Sequence, residues 1–156
     1  MGGSDALGCV DANIWLIGMD EPEKRWRSRT LMTVQERKNL RLLPWISRGS
    51  IDDPVLWERG PKNIVLDRKR MEQLRTHLPS IWRVLMDERS ALMAGRLAWI
   101  ATQRIRQDQR EPKIMAPVGA AHVEGLRGLL AEPHFIATKL MGYDLEFTPP
   151  LTLCAA

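Results

Sequence analysis

The stretch between residues 113 and 130 constrains the fold more than any other part of the sequence. An apolar run, Ile114–Val118, leads into a turn of small residues and then into apolar residues with helical spacing. The small residues are Gly119, Ala120 and Ala121. This pattern predicts a strand that ends in a tight turn and continues as a helix. In open α/β sheets, ligands bind in the crevice beyond the carboxyl ends of such strands.

His122 lies at or near the start of that predicted helix, and three interpretations of it compete. The first is a buried turn residue whose imidazole is satisfied by a backbone carbonyl. The second is a metal ligand or general base, since neutral imidazole is the commonest metal ligand and titrates near neutrality. The third is an anion site, since a helix N-terminus offers free N–H groups and a partial positive charge. The residues alone leave all three open.

A second apolar run, Asn13–Met19, predicts a buried strand. We expect this strand to be parallel to Ile114–Val118. Asp20 at its carboxyl end then either caps the next turn or faces the same crevice as His122. The predicted fold class is α/β, with a partial, three-layer-like sheet of few strands and a long helix packed on it.

The segment Pro79–Gln107 predicts that long helix, at about residues 79–107, because it has high helix propensity and no interior proline. On a helical projection most of its large apolar residues share one face, with Arg89 inside that face and Glu88 at its edge. The opposite face carries Asp87, Ser90, Ala91 and Ala94. An inward arginine is costly unless it is paired. We therefore expect Arg89 in a buried ion pair, at the rim of the core, or with Glu88 at a polar site beside His122.

The remaining segments are less informative. Residues 21–48 are basic and helix-prone, Arg48–Pro61 is typical of a loop, and Asp67–Thr76 predicts a short helix. Phe135–Met141 fits a strand or a helix, and Asp144–Phe147 predicts an edge strand.

The motifs of the long helix and of the small-residue turn together resemble the C-terminal half of the TraB/PrgY/GumN family, which includes the Tiki membrane metalloproteases. The first motif is Leu85–Ala94, with a Glu-Arg pair that is followed by Met-Ala. The second is Val118–Gly125, which contains Gly-x-x-His. Their order and separation agree with the family over roughly residues 78–130.

The resemblance implies a divalent-metal-dependent hydrolase or peptidase. Glu88, Arg89 and His122 would be its catalytic residues, His122 and Glu88 would bind the metal, and the metal would be Mn, Co or Zn. Such a metal would polarise a carbonyl or activate a bound water.

The chain departs from the family pattern on its N-terminal side. The family has an earlier Gly-x-x-His and a glutamate before the strand that corresponds to Asn13–Met19, whereas this sequence has the Gly-x-x-His at His122 alone. We therefore expect an N-terminally shortened TraB-like domain. A catalytic metal needs about three protein ligands, and Glu88 with His122 supplies two. The alternatives are a hydrolase remnant, a homodimer that shares ligands across its interface, or a non-catalytic module that binds a peptide or signalling partner.

Composition sets the outer limits. A hydrophobic content of 44% and a charged content of 27% are typical of a soluble globular protein, and the net charge of +4 includes no block of like charges that would indicate nucleic acid. The spacing of Cys9 and Cys154 indicates neither a disulfide scaffold nor a zinc site. No apolar stretch approaches the roughly 20 residues of a membrane span. We expect one domain over residues 1–150, a loosely ordered tail at 151–156, and by default a soluble, cytoplasmic location.

Overall fold

The computed structural model describes residues 13–42 and 71–154. In chain order its elements are β1 (Ile14–Leu16), α1 (Glu21–Leu31), α2 (Val34–Asn39), a 3-10 turn (Leu40–Leu42), α3 (Pro79–Trp82), a π-helical segment (Arg83–Glu88), α4 (Arg89–Asp108), α5 (Ala120–Ala131), α6 (His134–Gly142) and β2 (Leu151–Cys154). Residues 71–77 are also helical. The described part of the chain is therefore mostly helical, with a small two-stranded sheet.

The sheet differs from the predicted one. The strand expected over Asn13–Met19 is present as the shorter β1, but its partner is β2, and the two strands are antiparallel. The run Ile114–Val118 is not a strand, since residues 111–119 form neither helix nor strand. Pro117 lies inside this run, where it removes a backbone N–H that a sheet ladder would need. The mixed α and β character is confirmed in this coarse form, and the three-layer-like sheet stays a prediction.

The end of the chain also differs from the prediction. The tail at 151–156 was expected to be loosely ordered, yet Leu151–Cys154 forms β2. The edge strand predicted at Asp144–Phe147 is absent, because the chain there is still closing a helix. Asp144 has a left-handed backbone with φ of 53°, and the N–H of Leu145 donates to the carbonyl of Leu140 at 2.9 Å. This backbone pattern is typical of a helix C-terminus.

The described residues divide into two compact units. The first unit contains the residues before Asp20 together with those from Arg89 onward, and the second contains Asp20–Glu88. The boundary falls between Glu88 and Arg89, where the π-helical segment meets α4.

The second unit is built from short capped helices. Asp20 accepts a hydrogen bond from the Glu23 N–H at the start of α1, which confirms the predicted capping role. Thr33 and Glu36 form a capping box at the start of α2. The apolar core consists of Leu74, Leu78 and Ile81, with Met32, Leu40, Trp82 and Leu85 packed against it. The helical character predicted for residues 21–48 is confirmed up to residue 42.

Two other predictions for this unit fall wholly or partly outside the described residues. The loop predicted at Arg48–Pro61 lies outside the described residues. The helix predicted at Asp67–Thr76 is present from residue 71, and its first residues lie outside the described part.

The first unit has α4 at its centre. The buried apolar residues of α4 are Ala91, Leu92, Met93, Ala94, Leu97 and Ile100, and those of α5, α6 and the following turn are Leu126, Leu129, Ile136, Leu140 and Leu145. Small residues allow close packing here, since a Cβ built on Gly125 would lie 3.4 Å from Ser90 Oγ. Ser90, Ala91 and Ala94, which the projection placed on the polar face, are thus buried. Of the two forms open for Phe135–Met141, the helix is present as part of α6.

Arg96 of α4 joins the short sheet to the rest of the first unit. Its Nε donates to the Thr148 carbonyl at 3.0 Å and its Nη2 to the Thr148 hydroxyl at 2.7 Å. Nη1 donates to the carbonyls of Ile17, at 3.2 Å, and Gly18. Because an isolated pair of strands is marginally stable in water, these contacts to both strand flanks stabilise the sheet.

The long helix predicted over Pro79–Gln107 is confirmed in extent, with a π-helical segment inside it. A π-helix bonds i to i+5 and has more residues per turn than an α-helix. Side-chain positions within the segment therefore depart from a regular α-helical projection. Glu88, expected at the edge of the apolar face, is fully buried, whereas Arg89, expected inside that face, is only partly buried.

Candidate functional site

Glu88 is held by arginines of its own unit. Its side chain is 0% exposed, and its Oε2 accepts a hydrogen bond from Arg27 Nε at 2.6 Å. Its Oε1 accepts from Arg27 Nη2 at 3.1 Å and from Arg83 Nε at 2.8 Å. Two guanidinium groups thus bind both carboxylate oxygens, which satisfies the buried charge. The buried ion pair that was one expectation for Arg89 is formed instead by Glu88.

Arg89 has a different environment. Its Nε is buried, and this atom has no hydrogen-bond partner among the described residues. The side chain lines a cavity of about 1040 Å³ in the first unit, and His122 lines the same cavity. A buried guanidinium nitrogen without an acceptor costs free energy, so an acceptor supplied by a ligand would be favourable there.

His122 lies in the first turn of α5 and is 6% exposed. Its Nδ1 is 3.0 Å from the hydroxyl oxygen of Ser90, so the ring is held by a side chain rather than by the backbone carbonyl of the first interpretation. Within the described part of the chain, Nε2 has no hydrogen-bond partner. Burial, and then the positive charge of Arg89, lower the pKa of His122 below its usual 6.5. The imidazole is therefore neutral at pH 7.

Three pieces of the first unit, together with His122 of α5, form the cavity. They are β1 with its flanks (Asn13–Gly18), one face of α4, and the segment Arg110–Gly119 that connects α4 to α5. From α4 the lining residues are Arg89, Met93, Leu97, Ile100, Arg104 and Asp108. The segment predicted to be a strand thus contributes a wall of the cavity instead.

The charges on the lining are predominantly positive. Its cations are Arg89, Arg104, Arg110 and Lys113, and its anions are Asp108 and Glu111. Arg104 also lies over the ring of Trp15, with its guanidinium carbon 5.3 Å from the ring centroid. A surplus of cations on a cavity wall attracts anionic ligands.

The turn of small residues borders this cavity. Gly119 lines it and is the N-cap residue of α5, and no side chain caps the helix there. Ala120 and Ala121 open the helix and are exposed. The N–H groups of a first helical turn have no partner within the helix, so they add a partial positive charge beside His122. A Cβ on Gly119 would lie 3.8 Å from His122 Cδ2, which is ordinary contact.

The metal centre implied by the TraB resemblance fits these residues poorly. Among the described residues, no group of three or more His, Cys, Asp or Glu side chains could hold a metal ion. Glu88 does not line the cavity, and both of its oxygens are already bound by arginines. Only His122, neutral and with Nε2 free of protein partners in the described part, has the character of a ligand. A Mn, Co or Zn site at Glu88 and His122 therefore stays a prediction.

Sequence reasoning identified Arg89, His122 and the turn, and it missed the residues that complete the site. Ser90 was assigned to the polar face of the helix, although its place in a run of small residues is a signal for close helix packing. Arg104 and Lys113 carried no signal of their own, because scattered arginines and lysines are usually solvated.

Comparisons with protein-family models, with curated proteins and with solved structures give no match to this chain. The resemblance to the TraB family therefore stays a prediction. None of the helices in residues 13–42 and 71–154 is long and apolar enough to cross a membrane.

Proposed function

We propose that this chain is a non-catalytic binding module and that its cavity takes a ligand with an acidic group, bound by Arg89 and His122. The observation that carries this proposal is Arg89, whose side chain lines the cavity and whose buried Nε lacks an acceptor in the described part of the chain. A carboxylate or phosphate oxygen at that position would supply the missing acceptor. Arginine binds both groups in a two-pronged geometry.

His122 completes the proposed anion site. When the Ser90 hydroxyl donates to Nδ1, the proton of the neutral ring is on Nε2, and this N–H becomes a donor to the anion. The N–H groups of Ala120 and Ala121 at the start of α5 add further donors of the kind that bind anions at helix N-termini. All of these groups belong to the first unit.

The same geometry gives less support to a metal-dependent hydrolase. Catalysis of that kind needs Glu88 as a free ligand, and this carboxylate is bound by Arg27 and Arg83. The module that binds a peptide or signalling partner needs only an accessible site of complementary charge, and the cavity supplies one.

An NMR titration with sodium acetate, and separately with inorganic phosphate, tests the proposal. We expect at least one of the two ions to shift the ring signals of His122 and the amide signals of Ala120 and Ala121 in a saturable way. In Arg89→Gln the affinity should fall by at least about tenfold, which is about 1.4 kcal/mol.

Arg106→Gln is the matched control, because Arg106 is an exposed arginine of the same helix that does not line the cavity. This variant should bind like the parent chain. Saturable shifts that are equal in the parent chain and in Arg89→Gln would contradict the proposal, as would the absence of shifts with both ions.

A further inference from the structure

We infer that the ligand is an amphiphilic monoanion, an apolar chain that ends in a single carboxylate. This inference rests on the proposed function, because it takes the acidic group to lie at Arg89. The cavity is lined along α4 in an order that the helix itself fixes. Arg89 comes first, Met93, Leu97 and Ile100 follow, and Arg104 comes last.

The spacing along α4 sets the length of the apolar part. At a rise of about 1.5 Å per residue, the stretch from Arg89 to Ile100 covers about 16 Å of helix axis. Met93 and Ile100 lie within the buried core of the unit, and their side chains still contribute to the cavity wall. Ile114, on the connecting segment, adds apolar surface and is 40% exposed. An extended alkyl chain of about ten carbons fits a wall of this length and polarity.

The charges favour one acidic group rather than two. Arg89 has a buried Nε without an acceptor among the described residues, and His122 lines the same cavity. At the opposite end of the α4 lining the cavity carries the carboxylates of Asp108 and Glu111 together with three cations, Arg104, Arg110 and Lys113. The two carboxylates balance two of these three cations in number, so this end attracts a second anionic group less than Arg89 attracts the first. A single carboxylate matches the planar guanidinium and leaves the apolar chain to the apolar wall.

Isothermal titration of the full chain with decanoate, acetate and 1-decanol tests the inference. Each methylene that leaves water strengthens binding roughly fourfold, so we expect decanoate to bind about fiftyfold more tightly than acetate or better even if only part of its chain is buried. Decanol lacks the charge and should bind at least about tenfold more weakly than decanoate. If decanoate binds no more tightly than acetate, the inference fails while anion binding stands. If decanol binds as well as decanoate, the inference fails and so does the assigned role of Arg89.

A pair of variants distinguishes the cavity from other apolar surface. Ile114→Gln changes a partly exposed wall residue in a segment without regular structure, so it should weaken decanoate binding severalfold more than it weakens acetate binding. Met141→Gln is the control, because Met141 is 73% exposed and does not line the cavity. Its decanoate affinity should equal that of the parent chain. Equal weakening in both variants, or in neither, would overturn the inference, with circular dichroism confirming that both variants are folded.

Discussion

Glu88 and Arg89 are neighbours in the chain with opposite environments. The glutamate is fully buried between two guanidinium groups, whereas the arginine presents a buried nitrogen without an acceptor among the described residues. The motif that suggested a catalytic Glu-Arg pair therefore separates into two roles. Glu88 is bound by Arg27 and Arg83, and Arg89 lines the cavity of the first unit.

Replacing the buried carboxylate should be strongly destabilising. In Glu88→Gln, a fully buried carboxylate that pairs with Arg27 and Arg83 loses its charge, so we expect the free energy of unfolding to fall by about 3 kcal/mol. Urea unfolding followed by circular dichroism measures this loss. Glu72→Gln, which changes an exposed glutamate of the same unit, is the control and should stay near the parent value. Equal stability of both variants would show that the ion pair contributes little.

His122 should make the free energy of unfolding depend on pH. Because the folded-state pKa of His122 is lowered by burial and by Arg89, the unfolded chain takes up a proton at a higher pH than the folded chain. The contribution of His122 to stability is thus complete above pH 6.5 and is lost as the pH falls through 6.5 toward the lower folded pKa. Unfolding free energies at about pH 8 and about pH 5.5 measure this loss.

His122→Gln should remove part of that pH dependence. His77→Gln, which changes an exposed ring of the second unit, serves as the comparison and should keep the dependence of the parent chain. A parent chain that is as stable at the lower pH as at the higher one would contradict the expectation.

At the scale of the element, the long helix was predictable and its faces were not. Helix propensity and the lack of an interior proline define its extent, because they act on each residue locally. The segment Arg83–Glu88 is π-helical, a form that helix propensity does not predict. Glu88 is buried by its pairing with Arg27, and Ser90 by the packing of α5 on that side of α4, so a single apolar face predicts neither burial.

For the strands, the local sequence pattern predicts one strand that is absent and misses one that is present. Ile114–Val118 has the apolar character of a strand, but pairing is a non-local property, and Pro117 weakens this run as a partner. β2 was missed because Leu151 and Leu153 alternate over only four residues beside two prolines, which is too short a pattern to distinguish from a tail.

Arg96 should control the stability of the short sheet. Arg96→Met keeps the apolar stem and removes the donors to Thr148, Ile17 and Gly18. We therefore expect the free energy of unfolding to fall by about 1 to 3 kcal/mol. Hydrogen exchange at the amides of β1 should become faster in this variant. Arg106→Met, which changes an exposed arginine of the same helix, should leave both quantities unchanged. Unaltered exchange in Arg96→Met would contradict this role.

At the scale of the whole chain, apolar side chains remain exposed on both units. The exposed fractions are 51% for Ile14, 49% for Leu16, 67% for Leu151 and 64% for Leu153 on the sheet, and 71% for Val34 in the second unit. Clustered apolar surface of this kind is a binding or aggregation surface. A sequence with six tryptophans and eight methionines indicates much apolar area, but only the packing shows how much of it is left uncovered.

A neutral hydrophobic dye should therefore bind the native protein. We expect Nile red fluorescence to rise without denaturant, and to rise less in the double variant Leu151→Thr, Leu153→Thr, which keeps strand propensity and lowers apolar area. Val34→Thr makes the same kind of change on the second unit and is the control for that unit. Native protein that leaves the dye fluorescence unchanged would contradict the prediction.

The site was predictable to the extent that it depends on local pattern. Arg89 and His122 were selected because an inward arginine and a histidine after small residues are locally unusual. Their meeting at one cavity depends on how α4 and α5 pack, which is fixed by the contact of Ser90 with His122 and with Gly125. No spacing along the chain encodes that contact.

The indole of Trp15 gives the cavity an optical reporter of its own. Trp15 lines the cavity, and the guanidinium of Arg104 lies over its ring. Indole emission responds to nearby charge and water, so a molecule that enters the cavity should shift the spectrum of the unlabelled chain. Trp15→Phe should abolish that shift, and occupancy could then be followed by fluorescence in real time.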